Sequence, residues 1–97
     1  MKSILQKQKR CLLCHTVNML EEHHVFEGAD RRHSETYGLK VWLCKYHHTG
    51  DIRGNGEAVH FNIKTQNALK AWAQKKAMKH YKWSVEDFRK IFGRSYI

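Results

Sequence analysis

Three cysteines, two of them in a C-x-x-C pair, constrain this chain more than any other feature. An odd number closes poorly into a disulfide framework and suits metal ligation once a histidine completes the set. Cys11-Leu-Leu-Cys14 and Cys44-Lys-Tyr-His47 are two close pairs, with Cys44 30 residues after Cys14. Zinc takes its four tetrahedral thiolate and imidazole ligands in this way, from two separate turns. His15 is the alternative fourth ligand, but it stands too close to Cys14 to form a second knuckle. A chain of 97 residues has a thin margin of core stabilisation, so such an ion would contribute on the order of 10 kcal/mol to folding. Thiols reserved for a metal point to a reducing, cytoplasmic setting.

The chain reads as one domain over 1–97, of α+β class: a basic arm at 1–10, a zinc-stapled hairpin core at 11–60, and basic helices at 61–97. The stretches 22–27 and 39–44 carry Val, Phe and Trp at strand spacing and are expected to pair as a hairpin. The connection 29–37 holds helix formers and closes on Gly38, which predicts one or two helical turns with a glycine stop. Residues 49–57 include three glycines without apolar periodicity and read as a loop. From Phe61 the pattern becomes helical. Ala68, Leu69, Trp72, Ala73 and Ala77 form a stripe, which predicts a helix over about 60–81. Ser84-Val-Glu-Asp87 resembles a capping box with Asp in the third helical position, so a short helix over 85–92 should pack Phe88, Ile91 and Phe92 on the first. Trp42, Trp72 and Trp83 are read as core.

Lys+Arg number 18 against 9 Asp+Glu, and residues 61–97 hold 9 basic and 2 acidic groups, so that third carries +7 of the net +9. A field this concentrated attracts a polyanion, of which nucleic acid is the commonest. No apolar run approaches the roughly 18 residues that span a bilayer, and no apolar segment follows the basic start, so no membrane association is expected.

The chain holds eight histidines, of which the zinc pattern accounts for His47. Adjacent strand residues face opposite sides, so His23 and His24 cannot share one ion and should have different tasks. In order along the chain, CLLC, EEHHVF and WLCKYHH resemble the zinc-ribbon subgroup of the HNH, or ββα-metal, endonucleases, over about residues 11–60, and small phage-encoded members in particular. The resemblance implies a ββα-metal fold with a β-hairpin and C-terminal helices. It makes His23 a ligand of a catalytic divalent metal (Mg2+, Mn2+, Ni2+ or Zn2+), His24 the general base, and His48 a second ligand. The place of the further histidine found in many members falls on Ile52, and His60, beyond the glycine-rich loop, is the displaced third ligand. The asparagine that names the motif falls on Leu39, with Gly38 before it.

An imidazole with a pKa near about 6.5 takes a proton from water at neutral pH, and a divalent ion stabilises charge on the scissile phosphate. One metal and one base make a minimal phosphodiesterase. The expected substrate is double-stranded DNA, with Arg31, Arg32, Lys45 and Arg53 as phosphate contacts. Two-strand cleavage would be simplest in a homodimer. The alternative reading is a catalytically inactive zinc-ribbon module that binds nucleic acid or protein.

Overall fold

Short β-prone runs and a capped helical tail give an α+β chain in the computed structural model, which describes all 97 residues. Strand β1 spans Leu20–His24 and β2 Lys40–Cys44. They pair antiparallel, with His23 opposite Val41 and His24 opposite Lys40. The hairpin was expected at 22–27 and 39–44. The first strand lies earlier, and beyond it Val25 keeps one bond to the partner side, its N–H donating to the Leu39 carbonyl at 3.0 Å, as Val25 and Phe26 turn into the core, where they are 2% and 1% exposed.

Between the strands, helix α1 (Arg31–Tyr37) ends on Gly38 in the left-handed conformation, φ 70°. A side chain at this position would also press a Cβ to 2.5 Å from the Lys2 carbonyl, so glycine here both stops the helix and lets the N-terminal arm cross. Residues of the arm are irregular but anchored: the Ile4 N–H donates to the Gly38 carbonyl at 2.9 Å, and the Trp42 N–H to Gln6 Oε1 at 2.8 Å. The arm thereby covers an edge that would otherwise leave unpaired backbone groups.

After β2 comes a single turn, α2 (Lys45–His48), then the glycine-rich loop, a 3-10 turn at Val59–Phe61, and helices α3 (Ile63–Tyr81) and α4 (Val85–Phe92). Helix α4 carries the expected capping box, with Ser84 and Asp87 bonded reciprocally. No helix is long and apolar enough to cross a membrane.

The core lies on one face of the hairpin. Val41 and Leu43 meet Leu69, Ala73 and Ala77 of α3 and Phe88 and Phe92 of α4 there. Phe26 sits 4.7 Å from the Phe92 ring and 5.5 Å from that of Phe88. Trp72 and Trp83 pack against this core, but Trp42 does not, which corrects its reading as a core residue. Strand alternation turns Val41 and Leu43 to the inner face and Trp42 between them to the outer face, toward the N-terminal arm. Gln74, unremarkable in the sequence, is fully buried because its amide holds the C-terminal tail, accepting from Tyr96 N–H at 2.6 Å and donating to Ser95 Oγ at 2.9 Å.

Candidate metal centres

Cys11, Cys14, Cys44 and His47 bring their ligand atoms within 4.8 Å of one another. Cys14 and Cys44 Sγ are 3.8 Å apart, Cys11 Sγ lies 3.9 Å from His47 Nδ1, and Cys44 Sγ 3.2 Å from the same nitrogen. Metal–sulfur bonds of about 2.3 Å and metal–nitrogen bonds of about 2.0 Å give tetrahedral edges of about 3.8 Å and 3.5 Å, so the group has the spacing of a structural metal site such as zinc. His15 is not among these ligands. It takes the left-handed position that turns the knuckle, φ 66°, and donates its N–H to the Cys11 carbonyl at 2.8 Å.

Leu12 N–H donates to the Trp42 carbonyl at 2.9 Å, tying the first knuckle to β2, and Lys45 N–H donates to the carbonyl of Met19, just before β1, at 2.9 Å, fixing the start of α2. Burial pushes the Cys44 thiol up to about 11, and the sulfurs of Cys14 and Cys11 add to the rise. Burial also acts upward on Cys11, but backbone groups of Cys44, Cys14 and Leu13 outweigh it and hold that thiol below its ordinary value. Three sulfurs this close ionise together only against a cation, which is what a metal supplies. The other ring nitrogen of His47 lies 3.6 Å from Glu57, a carboxylate positioned to support the ligand from behind.

His23, His48 and His60 form a second group within the same 4.8 Å limit. They come from three elements: the inner face of β1, the last position of α2, and the 3-10 turn before α3. The ring centroids are 4.6 Å apart for His48 and His60 and 5.2 Å for each of the two with His23. His48 Nε2 and His60 Nε2 are 3.0 Å apart, the edge expected between neighbouring octahedral ligands at about 2.1 Å. Behind them stand carboxylates. Glu21 receives His48 Nδ1 at 2.9 Å, and Glu27 Oε1 lies 3.6 Å from Nδ1 of both His23 and His60. That oxygen is buried without a hydrogen-bond partner. A cation on the Nε2 side would leave the ring protons on Nδ1, facing these carboxylates. His23, 3% exposed, has its pKa pulled down to about 3 by burial first and then by His48, His60, His24 and Lys70, so it is neutral, the form that ligates.

On the outer face of the hairpin, His24 Nε2 meets Glu35 Oε2 at 2.8 Å. Lys40 Nζ reaches the two Glu35 oxygens at 2.9 and 3.0 Å and Glu22 at 3.3 Å, while the terminal amine of Met1 lies 3.2 Å from Glu35. Glu22, His24 and Glu35 also have metal-ligand spacing. Lys40 already fills the cation position among these carboxylates. The hydrogen bond with His24, then that with Lys40, holds the Glu35 carboxyl well below the usual carboxylate range. His24 opens into a cleft of about 720 Å3 that Arg31 and Arg32 also line, neither of them in an ion pair.

No family model matches the chain, and no curated protein or solved structure matches it. Its chemistry therefore rests on its own residues.

Of the four expected phosphate contacts, Arg31 and Arg32 lie beside His24, whereas Lys45 and Arg53 line a separate cleft at the Cys44–His47 knuckle. Arg53 is committed there, bonded to Asp51 at 2.6 Å and stacked 4.2 Å over the Tyr46 ring. Ile52, at the place where many HNH members carry a histidine, is fully exposed. Leu39 is fully buried and offers no side-chain bond. Instead, buried Ser34 Oγ accepts the Phe26 N–H at 3.0 Å and donates to the Phe26 carbonyl at 2.8 Å, tying α1 to the backbone just beyond His24. Glu21, Glu27, Glu35 and Ser34 escaped the sequence reading, because nothing in their spacing marks residues that act through a neighbour.

Proposed function

We propose that the protein is a metal-dependent endonuclease or nickase of the HNH type acting on duplex DNA, with zinc on Cys11, Cys14, Cys44 and His47. His23, His48 and His60 would hold one catalytic divalent ion, and an all-imidazole donor set favours Ni2+ or Zn2+ over Mg2+. The observation that carries the reading is the convergence of three imidazoles from three elements within ligand distance of one another, with carboxylates behind their Nδ1 atoms. When bound, the ion supplies charge stabilisation at the scissile phosphate.

The chain's own residues do the rest. Glu35, ionised and fixed by Lys40, orients His24 through Nε2, which leaves Nδ1 to take the proton from the attacking water. Arg31 and Arg32 neutralise phosphates flanking the scissile one and set its register without reading sequence. As the water oxygen bonds to phosphorus, the opposite P–O bond breaks and its oxygen is protonated from solvent. Ser34 braces the backbone at Phe26, just beyond His24.

The test is a metal count beside a cleavage assay. Protein purified without added metal should hold one zinc per chain. Added Ni2+ should occupy one further site, and supercoiled plasmid should be nicked only then. His48→Ala and His60→Ala should keep the zinc and lose both the second ion and the nicking. A single metal site under all conditions, or nicking that survives both substitutions, would overturn the reading.

A further inference from the structure

The N-terminal arm carries more than its backbone role requires. Between it and the outer face of the hairpin lies a second cleft, also of about 720 Å3, with Trp42 and Lys40 on the hairpin side and Lys2, Lys7 and Lys9 on the arm. None of those three arm lysines makes an ion pair, because the nearby carboxylates are taken: Glu22 by Lys40, and Glu35 by Lys40, His24 and the terminal amine. Lys9 Nζ stands 4.6 Å over the Trp42 ring. Of the arm, only Ser3, Ile4 and Gln6 bond to the edge at β2, and Leu12 beyond the arm bonds the Trp42 carbonyl.

This cleft adjoins the one at His24. Glu22 lines both, and Lys40 lines the first while gripping Glu35 of the second. Lys2, Lys7, Lys9, Arg31 and Arg32 are thus unpaired cations along one face of the hairpin.

We propose that the arm cleft binds the phosphodiester backbone of the strand that leaves the His24 cleft, with the Trp42 ring as a stacking face for an unpaired base. The proposal rests on the nucleic-acid part of the reading above and adds a second half to its footprint. Ammonium groups on flexible stems suit a phosphate backbone read without regard to sequence, and a tryptophan among them suits a nucleobase.

Binding of a short fluorescent duplex, and of its single strand, is measured by anisotropy across a salt series, without added divalent metal and with zinc content as the check on folding. The combined variant Lys2→Ala, Lys7→Ala, Lys9→Ala should keep zinc and bind the duplex about tenfold or more weakly. Its slope of log K against log salt should be shallower by about 2 to 3, at about 0.9 per lost phosphate contact. Trp42→Ala should weaken the single strand more than the duplex. Should the triple variant lose zinc, the pair Lys7→Gln, Lys9→Gln is read for the same change in slope.

An unchanged affinity and slope in a zinc-loaded lysine variant, with binding lost in Arg31→Ala, Arg32→Ala, would overturn the arm site and leave the endonuclease reading standing. Failure of the unaltered protein to bind either oligonucleotide would remove both. Displacement of the duplex by poly-glutamate as readily as by unlabelled duplex would assign the cleft to acidic protein instead.

Discussion

His23 lies on the inner face of β1 with 3% of its surface exposed, and burial beside His48 and His60 brings its pKa from 6.5 to about 3. Between those values the unfolded chain holds more protons than the folded one. Stability contributed by His23 is therefore fully present above about 6.5 and drains away as pH falls toward 3. A plot of Tm against pH, without added metal, should slope downward with acid across this window, and His23→Gln should flatten it. Equal slopes in the two proteins would mean that His23 is not held neutral by the fold. His24, one residue on, faces the other way and is tied to an ionised partner. Two adjacent histidines are thus given different chemistry by the alternation of a strand alone.

At the scale of elements, the legible parts were those with local signatures. The Ser84–Asp87 box started α4, Gly38 ended α1, and the apolar stripe found α3, though Ala68 in that stripe is exposed and Gln74 beside it is buried. The metal knuckles were legible because the pair spacing of Cys11, Cys14, Cys44 and His47 is itself local. What escaped depends on contacts between distant segments: the outward turn of Trp42, the early end of β1, and the carboxylates behind the histidines. Ser34 is the clearest case, an ordinary serine within α1 whose two bonds to Phe26 fasten the helix to the exit of β1. Ser34→Ala would leave both buried groups of Phe26 without a partner, at a cost of about 1–3 kcal/mol. Thermal unfolding should register a fall in Tm of at least about 4 °C. An unshifted Tm would show that the tether contributes nothing to folding.

For the molecule as a whole, the Cys3His group does two things at once. It closes the ends of the hairpin, and through α2 it sets His48 opposite His23. Removing the metal should therefore collapse both functions together. Chelation, or Cys44→Ser, is expected to abolish the cooperative unfolding transition and the second metal site in the same titration, as a structural ion supplying on the order of 10 kcal/mol would require. A folded, second-metal-binding protein after complete zinc removal would separate the two sites. The long helix α3 and its basic surface need not take part in chemistry, since the histidines, the arginines and the arm all gather around the hairpin.

The most direct test of the account is the nicking of supercoiled plasmid by His24→Ala under single-turnover conditions, with zinc and the second metal both verified as bound. Loss of a positioned general base should slow cleavage by about 10²–10⁴-fold while leaving metal content and DNA affinity unchanged. Cleavage by the variant at the rate of the unaltered protein, or no cleavage by either with both metals bound, would contradict it.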